Sequence, residues 1–152
     1  MKYLKILMIC VCLFLLTLPA IADQTADEAT VRETVKKALD EFNKRDLNAH
    51  LSMLTEDYEN WTGSMKGRKV REEHLIERWK LQKTAKYNVV EELGIHFVAP
   101  NVAIYKARCE AIGEVREDGT SIPSYKWFGA WVLVKKGEKW LIATLISRPL
   151  GE

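Results

Sequence analysis

The chain has 152 residues, 47% of them hydrophobic, with 23 basic and 21 acidic side chains. That length suits one domain of ordinary size, and the near-balance of charge without a basic block argues against binding nucleic acid or an anionic membrane surface. Of three cysteines, Cys10 and Cys12 sit in the first 22 residues and only Cys109 lies beyond them, which excludes a disulfide framework.

The opening segment is distinct from the rest. Lys2 and Lys5 form a basic start, Ile6 to Leu18 is an almost unbroken apolar run, Pro19 interrupts it, and Ala20-Ile21-Ala22 puts small residues where a signal peptidase reads. A membrane-spanning helix needs about 20 apolar residues, and this run is shorter. The expectation is a signal peptide over 1–22, cleavage near Ala22, and a periplasmic or secreted domain over 23–152 that touches no membrane afterwards. Lys2 and Lys5 leave with the segment and no acidic residue does, so the remainder carries no formal net charge.

Beyond it the chain reads as helices followed by strands. Thr25-x-x-Glu28 matches a capping box, and Val31, Val35, Ala38, Leu39 and Phe42 recur at helical spacing, predicting a helix over 26–44. Asp46 can cap a short second helix carrying Leu47, Leu51 and Leu54. Tyr58 to Thr62 predicts a strand, with Gly63 and Gly67 bracketing a turn. Val70, His74, Leu75 and Trp79 predict a third helix over 68–82. Strands are then expected at Lys86–Val98, Val102–Val115, Pro123–Lys136 and Lys139–Arg148. The turns between them fall at Pro100-Asn101, Asp118-Gly119 and Lys136-Gly137. Strands joined by short turns favour an antiparallel meander, and helices packed on it make an α+β domain.

The strands differ in their faces. Ala103, Tyr105, Ala107, Cys109 and Ala111 alternate with Lys106, Arg108 and Glu110, giving one apolar and one wet face. Trp127, Trp131 and Leu133 oppose Phe128, Ala130, Val132 and Val134, while Leu141, Ala143 and Leu145 oppose Trp140, Ile142 and Ile146. A sheet apolar on both faces needs two covers. Helices can supply one, and a second copy of the chain is the simplest other, with Trp131 and Leu133 as interface candidates.

Catalytic signatures are sparse. His50, His74 and His96 fall on different elements without metal-ligand spacing, so no metal is expected. Cys109 is expected to be buried and inert between Ala107 and Ala111. Glu91 and Glu92 alternate across a strand and cannot act as a pair, with Glu91 sharing a face with Tyr87 and Val89. No nucleophile, phosphate-loop or dinucleotide motif is present, and no cofactor is expected. The aromatics are the positive signal. Tyr58, Trp61, Trp79, Tyr105, Tyr125, Trp127, Trp131 and Trp140 fall on elements that should surround one cavity, with Tyr58, Trp61, Trp79, Tyr105 and Trp127 as its candidate lining and Asn60 and His96 as its polar candidates.

The helix Val31–Phe42, Arg45-Asp46-Leu47, Leu54-Thr55-Glu56-Asp57-Tyr58, Gly67-Arg68, and Gly137-Glu138-Lys139-Trp140-Leu141-Ile142 leading to Ser147 together resemble the NTF2-like superfamily. The resemblance is to its SnoaL-like and DUF4440-type (SgcJ/EcaC-like) branch, over nearly all of 23–152. It implies a curved antiparallel sheet wrapped round a long helix, a cone with a pocket at its open end, and dimerisation through the sheet. The chain departs from the related ketosteroid isomerases, where alignment puts Thr62 and Asn60 in place of a general-base Asp. Phe128 and Ala130 stand where relatives carry Arg and Thr, and Ala143, Thr144 and Leu145 where they carry histidine. The leading expectation is therefore noncatalytic binding of a small apolar or aromatic ligand. Two alternatives stand beside it: a cofactor-independent SnoaL- or isomerase-like enzyme in which His96, Tyr105 or Asn60 polarises a substrate, and a homodimeric interaction domain whose own side chains fill the cone.

Overall fold

A computed structural model describes residues 25–60 and 64–150. The expected signal segment and Trp61 lie outside the described residues. The first helix, α1, covers residues 25–44, and everything discussed below lies in the compact unit Val31–Glu152.

Within that unit α1 presents Val31, Val35, Ala38 and Phe42, spaced three or four residues apart, as one buried stripe. It ends without glycine. Arg45 takes the left-handed conformation (φ 62°), its N–H donates to the Phe42 carbonyl at 3.1 Å, and the Asp46 N–H donates to Glu41 at 3.0 Å. The Arg45 guanidinium then donates to the carbonyls of Asn43 at 2.8 Å and Gln82 at 2.6 Å, which ties this corner to the loop after the third helix. Asp46 caps α2 (Leu47–Leu51) by accepting from the Ala49 N–H at 2.9 Å. Leu54, expected in that helix, instead begins β1 (Leu54–Asn60).

The third helix, α3 (Arg68–Leu81), starts at Gly67, whose φ of 91° turns the chain and whose N–H donates to the Tyr58 carbonyl at 2.7 Å. Its buried residues differ from the expected stripe. Val70 is 41% exposed, whereas Arg71 is only 8% exposed and lies beside fully buried Leu75.

Four long strands follow: β2 (Lys86–Ala99), β3 (Val102–Ile112), β4 (Tyr125–Lys136) and β5 (Lys139–Pro149). The sheet order is β1-β5-β4-β3-β2, with β2 to β5 as the expected antiparallel meander. β1 joins parallel to β5, so the sheet is mixed rather than antiparallel throughout. A parallel neighbour needs a long crossover, and α3 with β2 to β4 supplies it. The α+β architecture of helices against one curved sheet stands as expected.

The inner face carries Ala103, Tyr105, Ala107, Cys109 and Ala111 from β3, all buried in one cluster with Val31 and Val35. These small side chains leave room for α1 against the sheet. Strict alternation fails at bulges. A register shift beside Val132 and Leu133 changes the phase of β5, so Trp140, Ile142 and Leu145 all join the inner side. Shifts in β2 separate Glu91 from Tyr87 and Val89. Glu91 instead pairs with Arg108, while Glu92 forms a two-pronged ion pair with Arg32 of α1 at 2.8 Å.

Candidate functional site

Between the inner face of the sheet and the helices lies a cavity of about 480 Å3. That is within the range that accommodates a small organic molecule. Phe42, Tyr58, Trp127 and Trp131 give it aromatic walls. Trp127 and Trp131 are successive inward residues of β4 on either side of Gly129, and their rings lie 5.8 Å apart at 52°. A methyl group at Gly129 would fall 2.6 Å from the Trp131 ring and 2.7 Å from Trp127. Glycine here is a packing requirement: the two indoles close over it.

The polar side of the cavity is built on Phe42. Its ring meets His50 at 5.4 Å, edge to face, and the Arg71 guanidinium stands 5.8 Å from its centre. His50 is buried, and its Nδ1 lies 2.9 Å from the Ala38 carbonyl. That carbonyl can only accept, so Nδ1 carries the proton and Nε2 holds a lone pair with no partner. Burial pulls the His50 pKa down to about 4 and keeps the ring neutral.

Two arginines of α3 line the cavity in opposite electrostatic states. Arg78 donates to Glu114 at 2.9 Å and to the Tyr87 hydroxyl at 2.5 Å. Tyr87 also donates to Glu114, and Tyr125 donates to its other oxygen at 2.9 Å. Burial, and then the bond to Glu114, raises Tyr125 to about 12, so this network holds one cation, one carboxylate and neutral phenols. Among the described residues Arg71 meets no carboxylate. Its Nη1 reaches only the Met65 sulfur at 3.8 Å, and its buried Nε has no acceptor. The faces of Phe42 and Tyr58, each 5.8 Å away, are its remaining partners.

The sequence-derived candidates divide. Tyr58, Asn60 and Trp127 line the cavity, and the Trp127 indole N–H is buried without an acceptor. Asn60 also ties the end of β1 to the segment before α3, accepting from the Met65 N–H at 2.9 Å and donating to Ser64 at 3.0 Å. Three candidates do not line it. Trp79 packs behind Phe42 at 5.4 Å. His96 is exposed, because its position pairs with Ile104 on the outer face of the sheet. Tyr105 is buried against Trp131 at 5.6 Å, and burial together with Glu92 raises its hydroxyl to about 12. The interface candidates also move: Trp131 and Leu133 are 3% and 0% exposed within a single chain, so neither can meet a partner. Cys109 is fully buried, and burial raises its thiol to about 12. Among the described residues no group of three metal-ligating side chains stands together.

Arg71, His50 and Arg78 were missed as site residues. An available signal was the helical face of Leu75, on which Arg71 and Arg78 fall four residues before and three after.

With this geometry in hand, comparison identifies the architecture. No protein-family model matches the chain, and no curated protein matches it in sequence. Solved structures do match. The hexachlorocyclohexane dehydrochlorinase LinA-type3 of Novosphingobium barchaimii superposes with a TM-score of 0.75 at 16% identity, over 86% of this chain and 90% of that one. A Caulobacter vibrioides protein with a cystatin-like fold gives 0.72 at 14% identity, over 81% and 89%. A ketosteroid isomerase-like protein of Erwinia carotovora atroseptica gives 0.66 at 13%, over 83% and 98%. The chain has the NTF2-like fold, a fold that hosts both ligand binders and enzymes.

Two outcomes are expected of the cavity walls. His50 takes up a proton near pH 6.5 when unfolded but only near pH 4 when folded, so its contribution to stability is present above pH 6.5 and is lost as the pH falls towards 4. Urea unfolding should show about 2 kcal/mol lost between pH 7 and pH 5. His74, also lowered chiefly by burial, adds in the same direction. His50→Gln should flatten most of this slope, and an unchanged slope would assign it elsewhere. Gly129→Ala should cost about 1–3 kcal/mol by forcing the two indoles apart, with a changed tryptophan emission spectrum; wild-type stability and emission would show that the rings do not close over this position.

Proposed function

We propose that residues 23–152 form an exported domain that binds a small aromatic or apolar molecule in the cavity without transforming it. The observation that carries the binding reading is the aromatic-walled cavity of about 480 Å3, whose lining among the described residues includes no carboxylate. The dehydrochlorinase and the ketosteroid isomerase-like protein among the structural neighbours make a cofactor-independent enzyme the alternative. Against it stands the chemistry of the best available base. His50 is backed by a backbone carbonyl rather than a carboxylate, and at a pKa of about 4 it is a weak acceptor of protons at neutral pH. Export is supported by Lys2, Lys5, the apolar run to Leu18 and the Ala20-Ile21-Ala22 exit.

The domain is also proposed to act as a homodimer through the outer face of the sheet. Pairing across β3, β4 and β5 puts Ile104 beside Val132 and Ala130 beside Ile146 on the side opposite Trp131, and Phe128 shares that side. Ile104, Phe128, Val132 and Ile146 are half-buried in the single chain and form an apolar strip that a second copy would cover.

Native mass spectrometry of the protein recovered from outside the cytoplasm reads all parts together. The expected result is a dimer beginning at Asp23, reduced to a monomer by Val132→Glu. Tryptophan emission should be quenched saturably by 2-naphthoate or 2-naphthamide. A chain retaining its first 22 residues would overturn export, a wild-type monomer would overturn the dimer, and no saturable quenching by either probe would overturn the binding reading. Turnover of a co-purified small molecule would favour the enzyme.

A further inference from the structure

We propose that the ligand is an aromatic or apolar carboxylic acid, bound as its carboxylate by Arg71; this rests on the binding reading above. The argument is one of charge. Arg71, Arg78 and Arg148 are the guanidinium groups lining the cavity; Arg148 is exposed and lies 5.7 Å from the Phe128 ring, and Glu114 is the carboxylate that contacts Arg78. Glu114 is fully engaged, by Arg78 and Tyr87 at one oxygen and Tyr125 at the other. His50 is neutral and contributes no charge. Solvent screens the exposed Arg148, so among the described residues the buried positive charge without a carboxylate sits on Arg71.

A buried charge without a partner is costly, and fold stability alone would favour an apolar residue on that face of α3. Cation–π contact with Phe42 and Tyr58 lessens the cost but leaves the Nε–H without an acceptor. A planar guanidinium with free N–H groups matches a carboxylate in shape, and one carboxylate would neutralise the buried charge of Arg71. The Trp127 indole N–H is a second buried donor without an acceptor at the cavity wall. Phe42, Tyr58, Trp131, Ile142 and Leu145 give the wall broad aromatic and aliphatic surfaces, which suit an apolar remainder with a flat ring.

The test compares 2-naphthoate with 2-naphthamide, which share size and shape and differ in charge. The purified protein should bind naphthoate about 30-fold more tightly, as expected when a hydrogen-bonded group gains a full charge. Arg71→Met should bring the two affinities close together while retaining naphthamide binding, and Arg71→Lys should give an intermediate ratio. Without ligand, Arg71→Met should melt several degrees above wild type, because it removes an unpaired buried charge. Naphthoate should raise the wild-type melting temperature more than naphthamide at equal concentration, a readout that needs no variant. Equal affinities for the two probes in the wild-type protein would overturn the carboxylate assignment and leave the binding reading standing. No binding of either would overturn both. A large wild-type preference that survives in Arg71→Met would place the anion on another group and overturn the role of Arg71.

Discussion

The ring of Phe42 is the contact on which the described fold turns. It extends from α1 and meets His50 of α2 at 5.4 Å, Trp79 of α3 at 5.4 Å and Tyr87 of β2 at 5.2 Å, all edge to face. Arg71 and Arg78 of α3 lie over it, at 5.8 and 5.9 Å. One phenylalanine thus fixes three helices and an edge strand relative to one another, and its ring helps to hold the buried Arg71 and the partly buried Arg78. The polar groups of the cavity owe their positions to this packing.

That arrangement explains why α3 carries charge where a helix of this kind ordinarily carries leucine. Arg78 is tolerable because Glu114, Tyr87 and Tyr125 surround it with acceptors and neutral hydroxyls. Arg71 has only ring faces and a thioether. The difference between them is the difference between a structural ion pair and a group whose hydrogen-bonding capacity remains open towards the cavity. Burial acts on the histidine in the opposite sense, holding it neutral so that it contributes a lone pair and no charge. The aromatic wall opposite depends on a glycine: without Gly129 the tryptophans of β4 could not lean together.

Much of the fold was legible because local rules agree with the tertiary outcome. The α1 stripe of Val31, Val35, Ala38 and Phe42 follows from helical periodicity. Asp46 acts as the cap its position implied, and the four meander strands begin and end within a few residues of the turn signals. The inner face of β3 follows from simple alternation. What failed did so where the chain leaves its regular period. The bulges in β2 and β5 change which residues share a face, so Glu91 turns out beside Arg108 and Leu145 turns in. Trp131 and Leu133 were placed on a face of their own correctly, but alternation cannot say which face is the inner one.

The sequence by itself determined the elements, their order and the presence of an aromatic-rich α+β core, because capping, turn chemistry and hydrophobic period act over a few residues. Only the tertiary structure decided the site. Trp79, Tyr105 and His96 lie away from the cavity although their residue types suit one. Arg71, His50 and Arg78 enter it, although helical periodicity marks only that the two arginines share a face with Leu75 and not that they meet a cavity. The physical reason is that burial and charge compensation are sums over residues far apart in the chain: whether an arginine is paired depends on a glutamate 36 residues on, as Arg78 and Glu114 show, and no local pattern carries that information.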